Sequence, residues 1–250
     1  MDEMMRVLVA EGDARARRRL CESLARLGFS AYGAEDGAQA LQGVRSLRPE
    51  ALVLALALPV CDGLAVLEKL HALWLRRYPS VLVLTAMGAP ARARALRLKA
   101  DMALDKPMEA EALAPLLRAG AAEPSALTLF HAQARRPEAE REALLLGVPP
   151  HLKGFSYLSR AVALVSADDR LLKRATSGLY PRIAAGAGVS DHSVERAIRH
   201  AIEATWTRGR MDALLRAFGN SIDPQRGKPT NTECIAMLAE KLWEHNSMEA

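Results

Sequence analysis

The sequence predicts two folded regions in series: an α/β domain built on a doubly wound, five-stranded parallel sheet, then an all-α domain containing a helix-turn-helix. Three observations carry this. Five short apolar runs alternate with five helical patterns in the first half of the chain, the order that gives a parallel sheet covered on both faces. From Gly147 onward the apolar residues recur at helical spacing. Aromatic residues make up only 4% of the 250, and the apolar mass is mostly Ala, Leu and Val, which suits helices and α/β layers better than sandwiches.

Arg6 to Ala10 is the first apolar run, followed by Glu11-Gly12-Asp13 and an arginine-rich helical stretch to Leu27. Phe29 to Gly33 is a short strand candidate, and Asp36 to Leu47 a helix. Ala51 to Ala57 is apolar at every position, as in a strand buried on both faces. A helix from Gly63 to Arg77, a strand from Ser80 to Thr85 and a helix from Pro90 to Leu98 follow. A strand from Asp101 to Leu104 and a helix from Glu109 to Arg118 complete the alternation. In such sheets ligands bind beyond the carboxyl ends of the strands.

Residues 121–145 are rich in Ala, Glu and Arg, with Pro124 and Pro137 as breakers, and read as a linker with one helical region from Ser125 to Gln133. The expected boundaries are 1–120 for the sheet domain, 121–145 for the linker and 146–250 for the helical domain. A helix from Lys153 to Ser166 carries Phe155, Leu158, Val162 and Val165 on one side, and a short helix begins at Asp169. Further helices are expected over Met211 to Phe218 and after Lys228-Pro229, where Thr230 and Glu233 stand in capping-box spacing. Trp206, Phe218 and Trp243 are read as core.

Between these elements, Ser177 to Gly188 reads as a short helix ended by glycine, and Ser190 or Asp191 caps a long helix after the turn. Val194, Ala197, Ile198, Ala201, Ile202 and Thr205 fall on one side of that helix. His192, Glu195, Arg196, Arg199 and Glu203 fall on the other. Arginine reads guanine O6 and N7, and glutamate reads the cytosine amino group. Glu195 and Arg199 also have the i,i+4 spacing of an ordinary surface pair. Arg170 to Arg216 holds nine basic residues against four acidic ones, a surplus equal to the +5 net charge of the whole chain. A basic surface there suits a polyanion, and double-stranded DNA is the expected partner.

Other classes are excluded or unsupported. Cys21, Cys61 and Cys234 lie far apart with no CxxC pairing, and no secretory-type segment opens the sequence, so a cytoplasmic location is expected. The longest apolar run, Ala51 to Cys61, is short of the roughly 20 residues that span a bilayer, so no membrane role is expected. With no P-loop, GxSxG, HExxH or clustered Cys/His set, neither an enzyme nor a metal or cofactor site is expected.

The strings LPVCDGLAVLEKL, LTAMG and DKPM, at their places in the alternation, resemble the receiver domain of response regulators over about Met4 to Gly120. LYPRIA, VERAIRHAIEATWTRG and KPTNTECIAMLAEKL resemble the effector domain of the stage-zero sporulation response regulator of endospore-forming bacteria, from about Gly147 to the end. The second resemblance implies that the helix starting near Ser190 enters the major groove of a TGTCGAA-type site. It makes His192, Ser193, Glu195, Arg196 and Arg199 the DNA-binding residues. Where the family has arginine immediately before Val-Glu-Arg, this chain has Ser193, which removes one candidate guanine contact.

The first resemblance implies an acidic pair for Mg²⁺, an aspartate that takes a phosphoryl group, a hydroxyl and a lysine. These positions are Glu11 and Gly12, Ala55, Thr85 and Lys106. Ala55 cannot accept a phosphoryl group, and Gly12 offers the metal no carboxylate. The aromatic that receivers swing inward falls on Ala103, and the Lys106-Pro107 peptide is of a kind often cis in the family. A Glu11–Lys106 salt bridge in place of a metal is the expected remnant, with Asp13, Asp62 and Asp105 as neighbouring carboxylates. The reading that follows is a sequence-specific, phosphorylation-independent transcription regulator. The alternative is an interaction module whose receiver-like domain dimerises with or modulates a phosphorylation-competent homologue, and a homodimer or heterodimer through that domain is the expected protein partner.

Overall fold

The computed structural model describes residues 4–208 and 228–247. The chain divides into two compact units, Met1–Phe130 and His131–Ala250.

In the first unit, strands β1 (Arg6–Ala10), β2 (Ser30–Ala34), β3 (Ala51–Ala55), β4 (Ser80–Thr85) and β5 (Met102–Asp105) form one sheet in the order β2-β1-β3-β4-β5. All neighbours are parallel. Every residue of β3 and β4 is buried, as the uniform apolar runs require of central strands. Helices α1 (Ala14–Arg26), α2 (Gly37–Leu47), α3 (Gly63–Leu70), α4 (Gly88–Arg97) and α5 (Ala110–Ala122) supply the crossovers. Val7, Val9, Leu24, Phe29, Leu113 and Leu117 belong to one continuous core.

Three aspartates just past the carboxyl ends of strands are helix caps. Asp13, Asp36 and Asp62 accept from the backbone N–H groups of Ala16, Gln39 and Ala65 at 2.7, 2.7 and 2.8 Å. Each such cap stabilises its helix by about 1 kcal/mol.

Two expectations from the sequence need correction. The helix expected from Gly63 to Arg77 ends at Leu70. Pro79 disfavours helical backbone at Tyr78, whose buried hydroxyl donates to the Leu73 carbonyl at 2.6 Å and turns the chain back toward β4. The stretch read as a linker, 121–145, is largely helical. After α5 closes at Ala122, α6 runs over Ala126–Leu146 with Pro137 inside it, and the division between the units falls within it. Its buried positions include Thr128, Ala132, Arg135, Ala139, Glu142 and Leu146, at alternating four- and three-residue steps. Three of those six are polar, which hides the helical period from a count of apolar residues.

In the second unit, α7 (Lys153–Ala167) is the central helix, with ten buried residues. Around it stand α8 (Arg170–Lys173), a π-helical turn over Ala175–Leu179, α9 (Tyr180–Ala187), α10 (Asp191–Arg208) and α11 (Asn231–Ser247). The fully buried Arg135 donates to the Ser166 carbonyl at the end of α7, and Trp243 Nε1 donates to the same oxygen at 3.2 Å. Trp243, read as core, is partly buried here. Thr230 and Glu233 form the expected capping box at the start of α11, at 2.7 and 3.3 Å. The helix expected over Met211 to Phe218 lies outside the described residues.

At Gly154, a Cβ would stand 2.0 Å from the Ala197 carbonyl oxygen, so α7 and α10 meet backbone to backbone. Overpacking costs about 1–3 kcal/mol where side chains must shift, and the opposing atom here is main chain. Gly154→Ala is expected to destabilise the helical unit by at least about 2 kcal/mol. An unchanged melting curve by circular dichroism would contradict this close approach.

Candidate nucleic-acid interface and receiver pocket

The residues of the receiver pocket stand at the carboxyl ends of β1, β3, β4 and β5. Glu11 follows β1, and its backbone N–H donates to the Ala34 carbonyl at 3.0 Å. Its carboxylate forms a short ion pair with Lys106, the two side chains being 14% and 32% exposed. The expected salt bridge is therefore present. Ala55 ends β3 and is buried. Thr85 ends β4, also buried, and its hydroxyl accepts from the Met87 N–H at 3.0 Å. The Lys106-Pro107 peptide is cis.

These residues do not fit Mg²⁺. Glu11 is committed to Lys106, Gly12 and Ala55 carry no side-chain oxygen, and a Cβ at Gly12 would already press on Pro59 at 3.2 Å. The neighbouring carboxylates are committed as well. Asp13 and Asp62 cap helices, and Asp105 pairs with Arg92. Among the described residues, no group of three or more His, Cys, Asp or Glu side chains is placed to hold a metal. A cleft of about 370 Å³ opens beside Glu11 and Lys106, toward Arg19, Leu20 and Met108. Ala55, Gly12 and Thr85 do not line it, so it is not the phosphoacceptor pocket.

In the helical unit, α9 ends at Gly188, whose φ of 65° is the left-handed value that glycine adopts freely. Ser190 then caps α10 by accepting from the Ser193 N–H at 3.2 Å. Val194, Ile198, Ala201, Ile202 and Thr205 are buried, and Ala197 is partly so. His192, Ser193, Arg196, Arg199 and His200 are exposed. Periodicity in the sequence named three of these five, and the family resemblance added Ser193. His200 was missed, although it stands one helical turn from Arg196 on the same face.

The polar residues differ in their commitments. Glu195 is half-buried: its carboxylate pairs with Arg199, and its carbonyl accepts from Asn231 Nδ2 at 3.0 Å. It positions Arg199 in the free protein, the i,i+4 pair that the spacing offered. Among the described residues, Arg196 has no ion-pair partner. Ser193 is drawn into the cap, with its hydroxyl 2.8 Å from that of Ser190.

Residues 7–118 match the response regulator receiver domain family, and residues 142–242 match the family described as the C-terminal domain of the sporulation initiation factor Spo0A. The chain belongs to the stage-zero sporulation response regulators. This sporulation-type regulator is thus a receiver domain joined to a transcription-factor domain. Its first unit is similar to solved receiver domains. One is the Francisella response regulator 1452 receiver domain, at 22% identity and a TM-score of 0.44, covering 47% of this chain and 97% of that one. A CheY-like receiver domain from Methylobacillus flagellatus is 26% identical, with a TM-score of 0.42, covering 47% and 99%. The chemotaxis response regulator CheY4 of Vibrio cholerae is 22% identical, with a TM-score of 0.44, covering 47% and 99%. No described helix of the regulator is long and apolar enough to cross a membrane.

The receiver pocket generates a test of its own. In a double-mutant cycle, Glu11→Ala and Lys106→Ala are expected to couple by about 0.5–1 kcal/mol, since both groups are partly screened by solvent. Millimolar Mg²⁺ is expected to leave the parent's melting temperature unchanged. A clear rise with Mg²⁺ would show that the pocket still binds the ion.

Proposed function

We propose that this regulator reads DNA sequence through α10, and that it does so without phosphorylation. The observation that carries the proposal is the division of α10 into two faces. One face is held against the helical core by Val194, Ile198, Ala201 and Ile202, while the other offers Arg196, Arg199 and His200 to solvent near the start of the helix. In helix-turn-helix proteins the first turns of the second helix meet the base edges. Arg196 is the leading candidate for a bidentate guanine contact. Arg199, steered by Glu195, serves a neighbouring base or phosphate.

Phosphorylation independence is supported by chemistry. A methyl group at Ala55 has no oxygen to take a phosphoryl group, and the pocket's remaining carboxylate is neutralised by Lys106. With Ala103 in place of an aromatic, the large side chain that would report the change is also missing. A second reading, pairing through the receiver unit as a homodimer or with a competent homologue, is favoured by one observation. The five-stranded core is intact although its pocket has lost the chemistry. A scaffold kept without its reaction suits an interface.

Arg196→Ala is expected to lose about 1–3 kcal/mol on a sporulation-type operator and to flatten preference at one base pair. Ser193→Arg is expected to bind that operator more tightly by restoring a guanine contact. Fluorescence anisotropy with matched specific and random duplexes checks both. Equal binding of the two duplexes by parent and Arg196→Ala would make this face a solvated surface. Acetyl phosphate or beryllofluoride with Mg²⁺ is expected to leave mass, oligomeric state and DNA affinity unchanged. A mass gain of one phosphoryl group on any aspartate would refute phosphorylation independence.

A further inference from the structure

We propose that Glu203 is an intramolecular stand-in for a DNA backbone phosphate, occupying a phosphate site on the flank of α10 that duplex DNA takes over on docking. The proposal rests on reading α10 as the DNA-binding helix.

Glu203 follows Glu195 and Arg199 at successive four-residue steps along α10. Its Oε1 accepts from Lys228 Nζ at 2.6 Å, with Lys228 arriving from the segment that leads into α11. Arg199 and His200, one turn earlier, add positive charge around the same carboxylate. The Lys228 hydrogen bond first, and then the charges of Lys228, Arg199 and His200, hold Glu203 below the usual carboxylate range. Lys228 thus pairs directly with this exposed carboxylate, while Arg199, itself paired with Glu195, and His200 line the same groove.

Two surface grooves run along this region, and Glu203 lines both. One, about 460 Å³, is lined by Ser193, Arg196, Arg199 and His200. The other, about 440 Å³, adds Lys228, Thr176, Thr230 and Thr232 to Arg199. Lysine, arginine and threonine hydroxyls are the donors that proteins aim at DNA phosphates. A carboxylate and a phosphodiester are both singly charged anions presenting two unprotonated oxygens, so the donor set that holds one also holds the other. The ordinary alternative is an exposed Lys–Glu pair, which contributes little stability and has no bearing on DNA. The two accounts part on salt dependence. A stand-in must be displaced before the phosphate enters, so it weakens binding to every sequence alike and conceals one counterion-releasing contact.

The test uses the full chain as parent, Glu203→Gln and Lys228→Gln, each titrated with operator and random duplexes across a salt series. Glu203→Gln keeps the side-chain shape and removes the charge. It is expected to tighten both duplexes by the same factor and to steepen the slope of log K against log salt by about 0.9. Lys228→Gln is expected to weaken both alike and to flatten that slope by about one unit. A Glu203→Gln slope equal to the parent's, or weaker binding, overturns the stand-in, even if Lys228→Gln behaves as expected. If the parent binds neither duplex, the DNA reading falls and the stand-in falls with it. If the parent binds its operator and only Glu203→Gln departs, the stand-in alone is lost. Circular dichroism melts establish that each variant keeps the parent fold.

Discussion

At Gly154 the backbone of α7 presses on the carbonyl of Ala197, and the surface that α10 presents to solvent depends on that contact. An α-helix advances about 100° per residue, so fixing one contact along its length fixes the direction of every side chain. With Val194, Ile198, Ala201 and Ile202 held inward, Arg196, Arg199 and His200 have no direction left but outward. No side chain could replace Gly154, because the opposing atom belongs to the main chain. Precision in a recognition surface comes from such backbone contacts, since exposed arginine side chains have too much rotamer freedom to supply it themselves.

The same helix shows how charge modifies what geometry offers. On its exposed face Arg199 is held by Glu195, and Glu203 holds Lys228 from the segment before α11. Arg196 has no ion-pair partner among the described residues, so its guanidinium is the least committed of the charges on this face. Asn231 at the start of α11 grips the Glu195 carbonyl, tying the last described helix to the part of α10 that carries the arginines. A change at Asn231 would therefore reach the arginine-bearing part of α10 from a different helix.

Much of the architecture was legible in the sequence because it follows from periodicity. The strand from Ser80 to Thr85 and the inward face of α10 are where the apolar pattern put them. The misreadings share a cause: polar residues doing buried work. Thr128, Arg135 and Glu142 occupy buried positions of α6, so its helical face reads as a charged linker. Tyr78, with its hydroxyl on the Leu73 carbonyl, ends what reads as one long helix after α3. In the site, residue types were legible but their pairings were not. The i,i+4 spacing shows that Glu195 and Arg199 can meet, whereas the Lys228–Glu203 contact spans 25 positions and has no local signature.

The receiver unit shows how a receiver-type pocket with fewer carboxylates keeps its fold. Three carboxylates in a single pocket repel one another, one lysine offsets only part of that, and without a divalent cation the cost appears as raised carboxylate pKa values. With Gly12 and Ala55 at two of those positions, one carboxylate faces one lysine, and the charges balance without a metal. Ala55 adds only a methyl to a strand buried at every position. Asp13 and Asp62, the nearby carboxylates that remain, are needed where they are because their helices start on them. The departures at Gly12 and Ala55 thus leave the pocket's charges balanced, with the sheet, its caps and its core in place. The charge balance at Glu11 and Lys106 is therefore compatible with an intact sheet, with no metal needed to hold the pocket together.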